Sequence, residues 1–227
     1  MGAVQAALHK PAVAGQAPII TWSKSDIEAW ATRRTCNPDG AWHYTHRGPQ
    51  LWADPARLDI AMAVLCRSIH LAHGFLPRDT QLATILLIVR DGIAEQELGK
   101  LAQVATGEGK SVIIAGVAIL KALGGLGVDI ITTSRILAER DAAENATLYA
   151  MFDLQVSNNC DDACEYGMGN HSPDAVRRER YFRGDAPVDI VYGDASAFER
   201  DELLTSFHPH DPQKQIIHAR FFTFPMR

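Results

Sequence analysis

A chain of 227 residues that is 47% hydrophobic and 22% charged is long enough to bury one substantial core and reads as globular. Its net charge of −5, with no block of Lys and Arg, leaves no electrostatic footprint for tight nucleic-acid binding, so nucleic acid is not an expected partner. The apolar run from Val112 to Leu120 is far too short to span a bilayer, which confines any membrane association to the periphery.

In chain order, residues 1–20 are rich in Ala, Gly and Pro without helical or strand period, and read as a mobile leader, with order beginning near Trp22. They lack the apolar core of a signal peptide. With only four cysteines (Cys36, Cys66, Cys160 and Cys164), a reducing cytoplasmic location is expected. Residues 21–75 read as a helical N-terminal extension. Ser23 or Ser25 can cap a short helix whose Asp26 and Glu28 suit its positive end. "CNPDGAWHYTHRGP" then reads as a loop. From Asp54 to His73 the apolar residues Leu58, Ala61, Met62, Leu65 and Ile69 recur at helical spacing, and Gly74 and Pro77 end that helix.

Residues 76–227 read as an α/β domain. A helix through "DTQLATILLIVRDG" is followed from Lys100 by short apolar runs that alternate with helical stretches, the sign of a parallel sheet. The expected strands are Lys100–Ala105, Val128–Thr133, Leu154–Ser157 and Val188–Tyr192. The expected helices are Lys110–Leu123, Ser134–Met151, Pro173–Phe182 and Ala195–Phe207.

Between the first of these strands and its helix lies "TGEGKS". A strand that turns sharply into a helix points backbone N–H groups at one spot, where the helix dipole adds positive potential. Gly107 and Gly109 permit the backbone angles and close approach that a side chain would block. Lys110 can reach terminal phosphates, and the Ser111 hydroxyl can hold Mg²⁺. Val104 stands where the generic phosphate-loop pattern has Gly or Ala.

"LAQVATGEGKS" resembles the ATP-binding loop of the SecA preprotein translocase motor family. "FLPRDTQL" is similar to that family's P-x-D-x-Q segment. "GVDIITTSRILAERDAAE" and "VDIVYGDASAFERDEL" are similar to its V-x-V-x-T…L-A-x-R-D-A-E and D-I-x-Y-G…F-x-x-D-x-L segments, in the same order. "VDIITTS" and "DIVYGDA" also resemble SecA-like domains carried within large multidomain proteins. The resemblance implies a three-layer P-loop NTPase (RecA-like) core, with ATP and Mg²⁺ as ligands. It implies that Gln81 reads adenine, that Thr106, Gly107, Glu108, Gly109 and Lys110 wrap the phosphates, with Lys110 also the catalytic candidate, and that Ser111 ligates the metal. For Arg140, Asp141, Tyr192 and Gly193 it implies coupling of the nucleotide site to a polypeptide substrate or a second motor domain.

Two departures from the family pattern temper the expected activity. Phosphoryl transfer needs a metal held from a second strand and a carboxylate-oriented water. The family supplies both from a D-E-x-D strand after the Y-G segment, whereas "QIIHARFFTF" contains no Asp or Glu. The segment between Gln81 and the loop is also longer than in bacterial SecA. Nucleotide binding without efficient hydrolysis is therefore expected, and the competing reading is a non-catalytic interaction module on the same fold.

Other patterns have simpler explanations. "CDDACEYGMGNH" offers Cys160, Cys164 and His171 as zinc ligands, but a surface insertion with incidental cysteines is preferred. "FHPHD" places His208, His210 and Asp211 together, which a polar loop explains. Trp22, Trp30, Trp42 and Trp52 are expected to pack the N-terminal core, with a docking face as the alternative.

Overall fold

The computed structural model describes residues 2–11, 17–36, 42–49, 51, 54–90, 99–184, 186–207 and 221–223. The chain forms two compact units, Met1–Gly125 with Thr147–Asp153, and Leu126–Ala146 with Leu154–Arg227. The boundary expected after residue 75 is therefore not the one observed, because the helix that follows the glycine-rich turn belongs with the N-terminal helices.

The first unit opens with helix α1 (Gly2–Leu8), which buries Val4 and Leu8, so this part of the expected mobile leader is a packed element. A 3₁₀ turn at Ile19–Thr21 leads into α2 (Lys24–Ala31). Its Ser23 cap and Asp26 bond each other's backbone N–H groups in a reciprocal capping box. Trp22 and Trp30 are both buried, as the core-packing reading expects. Strands β1 (Arg34–Cys36) and β2 (Trp42–Tyr44) pair antiparallel, so the segment read as a loop from Cys36 holds the end of one strand and the whole of the other.

Helix α3 (Pro55–His73) runs for 19 residues, and both its ends carry their proper signals. Asp54 caps the Ala56 N–H, Pro55 occupies the first turn, and Gly74 at φ 79° closes the C-terminus in the left-handed conformation. Helices α4 (Asp79–Arg90) and α5 (Lys110–Leu123) pack closely. A methyl group on Gly116 would lie 2.7 Å from Ile85 Cδ1 and 3.2 Å from Leu65 Cδ2, so this glycine permits the close approach of α4 and α3. Arg47 ties distant parts of the unit together by donating to the carbonyls of Ala31, Phe152 and Asp153.

The second unit is built on a sheet of β3 (Val128–Thr132), β4 (Val156–Asn158), β7 (Ile190–Asp194) and β8 (Phe221–Thr223). Its order is β4-β7-β3-β8, and every pairing is parallel: Val128 faces Ile190 on one side and Phe221 on the other. Every residue of β3 is buried, the apolar Val128, Ile130 and Ile131 together with Asp129 and Thr132. The remaining elements are α6 (Arg135–Ala150, whose last turn belongs to the first unit), α7 (Asp162–Tyr166), α8 (Pro173–Tyr181), the short hairpin β5 (Phe182–Arg183) and β6 (Ala186–Pro187), and α9 (Ala195–Phe207). Tyr181, Val188, Val191 and Phe198 form a core cluster with Ile131.

The α/β class with a parallel sheet is thus as read from the sequence. Residues 100–105 differ: they form no strand, and among the described residues no strand pairs with them. Leu101 to Gln103 and Ala105 are exposed, so the apolar texture there is not matched by burial or by a ladder of hydrogen bonds.

Candidate functional site

The glycine-rich turn lies in the first unit, where residues 106–109 lead directly into α5. Gly107 (φ 85°) and Gly109 (φ 75°) both occupy the left-handed region, where any other residue except Asn or Asp is strongly disfavoured. Gly109 is the N-cap of α5 and, having no side chain, supplies no cap hydrogen bond. A 14-residue helix therefore presents its positive end at the turn without a capping side chain. The Glu108 N–H donates to the Ala105 carbonyl at 3.3 Å, and Lys110 Nζ donates to the same carbonyl at 3.1 Å, closing the turn on itself. Thr106 is exposed, and Ser111 is half-buried in the first turn of α5.

The start of α4 braces this turn. Arg78 occupies the N-cap position of α4 and Gln81 the third position of the helix. The Gln81 Oε1 accepts the Arg78 N–H at 2.9 Å, which is one half of a capping box. Its Nε2 donates to the Glu108 carbonyl at 2.9 Å. The amide supplies both the acceptor and the donor that these two bonds require. Gln81 is 5% exposed, so folding alone fixes its orientation. Outside it, the Arg78 guanidinium meets the Glu108 carboxylate at 2.8 Å, with side chains 65% and 45% exposed. The longer segment between Gln81 and the turn does not separate them. Arg78 itself carries no signal in the sequence that would single it out.

Chemically, these residues fit a polyphosphate: positive-φ glycines, an uncapped helix N-terminus and a lysine at the first helical position. For magnesium the turn offers the Ser111 hydroxyl. That is compatible with an ion that takes few protein ligands beside phosphates and water. Among the described residues no group of three or more His, Cys, Asp or Glu side chains could hold a metal.

The other motif residues lie in the second unit. Arg140 and Asp141 form an ion pair at 2.7 Å in which Arg140 is half exposed. Tyr192 is buried in β7. Gly193 has a steric reason to be glycine, since a Cβ would lie 1.9 Å from Asn159 Oδ1 and 2.8 Å from Phe198. Asn159 belongs to a buried polar network that the sequence reading missed. The Asp201 carboxylate, fully buried, accepts from Arg177 Nη1 at 3.2 Å, from the Tyr181 hydroxyl at 2.9 Å and from Asn159 Nδ2 at 3.0 Å. Burial pushes the Asp201 carboxyl above its ordinary pKa, against the pull of Arg177 and the hydrogen bonds. The family-like F-x-x-D-x-L segment thus places its Asp in the core. The signal that could have found the network is the Asp of the F-x-x-D-x-L segment, with an Arg-rich helix upstream.

Cys160 and Cys164 are buried thiols, pushed by desolvation up to about 12 and about 11. The Cys160 Sγ donates to Asn158 Oδ1 at 2.9 Å, while His171 lies beside Glu179 at 3.5 Å. His208, His210, Asp211 and Trp52 lie outside the described residues. Along α9, Ser196, Glu199, Arg200, Leu203, Leu204 and Phe207 line an open hollow of about 470 Å³, from which Leu203 and Phe207 are largely exposed. No helix among the described residues is long and apolar enough to cross a membrane.

Comparison with known proteins brings these observations together. A family model described as the SecA DEAD-like domain matches residues 52–221. The chain is similar to the "Protein translocase subunit SecA" of Nitratidesulfovibrio vulgaris, 34% identical over 114 residues that cover 49% of this chain and 12% of that protein. It is also similar to the SecA subunits of Amoebophilus asiaticus (38% over 105 residues, 46% of this chain and 8% of the relative) and Stenotrophomonas maltophilia (37% over 106 residues, 47% and 10%). The matches thus span about a tenth of the relatives' length.

Proposed function

The chain belongs to the SecA DEAD-like domain family, and we propose from that premise that it binds ATP with Mg²⁺ on the Thr106–Ser111 turn and hydrolyses it slowly or not at all. One observation carries the reading: Gly107 and Gly109 hold the turn open at positive φ directly before the uncapped first turn of α5, where Lys110 stands. Lys110 leaves the neutral Ala105 carbonyl for a terminal phosphate, exchanging an ordinary hydrogen bond for a charge-assisted one. Gln81 contributes first by holding the Glu108 carbonyl. Contact of its amide with the adenine belongs to this proposal as well. Mg²⁺, when bound, neutralises phosphate charge, and Ser111 is the side chain that would hold it.

Slow turnover follows from what phosphoryl transfer requires. The segment "QIIHARFFTF" contains no Asp or Glu that could hold a metal or orient a water as the D-E-x-D strand of the SecA family does. The relatives are named as protein translocase subunits, which supports a role for the domain in protein translocation. We therefore assign a polypeptide substrate or a second motor domain as the partner, and a cytoplasmic location that includes the membrane periphery.

Isothermal titration of the purified chain with ATP·Mg²⁺ and with ADP, beside Lys110→Ala and with phosphate release followed in the same samples, tests the proposal. Saturable binding that depends on Lys110, without turnover, supports it. A chain that binds no nucleotide at millimolar concentration removes it. In that case the interaction-module reading stands, favoured by Leu203 and Phe207 exposed on α9.

A further inference from the structure

Glu108 puts a carboxylate between the two glycines of a turn whose remaining features all favour anions. A negative charge there opposes a polyphosphate, and the opposition grows with each phosphate charge added. The structure answers it with Arg78. The guanidinium meets the Glu108 carboxylate at 2.8 Å. Both partners are anchored from behind: Gln81 holds the backbone N–H of Arg78 through Oε1 and the backbone carbonyl of Glu108 through Nε2. The two side chains are thus brought together by a buried amide that bonds both of their backbones.

With side chains 65% and 45% exposed, this pair contributes little to folding. Its position in the turn gives it a different use. We infer that Arg78 is a positioning residue that neutralises Glu108 and draws its carboxylate toward α4, so that the turn accepts a nucleoside polyphosphate. The inference rests on the nucleotide-binding reading above and adds to it a residue outside the turn. It makes Arg78 a determinant of how strongly affinity rises with the number of phosphates. Arg78 acts through Glu108 and need not touch the nucleotide.

The test is titration of the full chain with ATP·Mg²⁺, ADP and AMP, for wild type, Arg78→Gln, Arg78→Lys, Glu108→Gln and the double variant Arg78→Gln/Glu108→Gln. Arg78→Gln is expected to weaken ATP binding about fivefold, ADP less and AMP least, because the penalty scales with ligand charge. Arg78→Lys keeps the charge and stays near wild type. The double variant recovers the ATP affinity lost in Arg78→Gln, which a merely structural role for Arg78 does not produce. An Arg78→Gln chain that binds ATP as wild type does, or a loss that Glu108→Gln fails to restore, overturns the inference and leaves the nucleotide reading in place. Wild type that binds no ATP overturns both, and is recognised because no variant is involved.

Discussion

The amide of Gln81 occupies the space next to Gly109 so fully that a Cβ on that glycine would lie 2.4 Å from Gln81 Nε2. Gly107 faces no neighbour within 4 Å, so the two glycines of the turn are constrained differently. Gly107→Ala bears only the cost of a left-handed residue, about 1–2 kcal/mol. Gly109→Ala bears that cost and displaces the Gln81 amide from the Glu108 carbonyl. We expect Gly109→Ala to lose clearly more stability and more ATP affinity, measured by denaturant unfolding and titration. Equal losses in the two variants would contradict the brace.

Gln81→Glu tests the same brace from the other side. The carboxylate keeps the acceptor for the Arg78 N–H but has no donor for the Glu108 carbonyl, and it adds negative charge beside the turn. A drop of about 1–3 kcal/mol in stability is expected, consistent with one buried unsatisfied acceptor. ATP affinity should fall with it. An unchanged unfolding midpoint would show that the Glu108 carbonyl does not depend on Gln81.

In the second unit, Asp201→Asn leaves the Arg177 guanidinium buried without its counter-charge. Breaking such a pair on one side costs about 3–5 kcal/mol. Replacing both members with apolar residues of similar volume, Asp201→Leu with Arg177→Met, should cost less than the sum of the two single changes. A double-mutant cycle in urea measures the coupling, and strict additivity would mean that the pair does not act as a unit.

Gly193→Ala is expected to destabilise the chain by about 3 kcal/mol, since the new methyl group overlaps Asn159 and Phe198 in a filled interior. The rigid backbone of β7 on one side and the bonded Asn159 on the other leave little room to relax. Circular dichroism through a thermal ramp reads the effect directly, and a near-wild-type midpoint would show that Asn159 can move aside.

His46 makes the pH behaviour of the first unit testable. It stacks on Trp30 with ring centroids 4.6 Å apart, and burial, reinforced by Arg33 and Arg57, lowers its pKa to about 4. The unfolded imidazole takes a proton near pH 6.5 and the folded one does not. This residue's contribution is therefore complete above that pH and is lost as the pH falls toward 4. His46→Phe should flatten the stability profile across this window. The same slope in both proteins would assign the acid sensitivity elsewhere.

The helices were legible where the chain carries local instructions. Lys110–Leu123 and Ala195–Phe207 have the ends read from the sequence, and α8 ends one residue early at Tyr181. The strand expected at Val128–Thr133 is observed at Val128–Thr132, while the one expected at Val188–Tyr192 is observed two residues later, at Ile190–Asp194, because an apolar run marks a buried strand but not where its pairing starts. The loop glycines announced themselves by spacing. What local pattern could not show was anything joined over long separations. Val4 and Leu8 stand at i,i+4 in "GAVQAAL", but a single such pair in a seven-residue Ala-rich segment is too little period to announce a packed helix. Residues 100–105 have strand-like texture without a partner to make them a strand. Arg78 meets Glu108 thirty residues away, and Asn159 meets Asp201 forty-two residues away.

Arg47 has a consequence for the order in which the molecule is made. Its acceptors at Phe152 and Asp153 belong to a return segment, Thr147–Asp153, that rejoins the first unit only after an excursion into the second. During vectorial synthesis, then, the helix that follows the glycine-rich turn emerges well before the carbonyls that complete the unit it belongs to. A nascent chain stalled before residue 147 carries the whole turn without this closure. The first unit cannot be complete until Asp153 has left the ribosome.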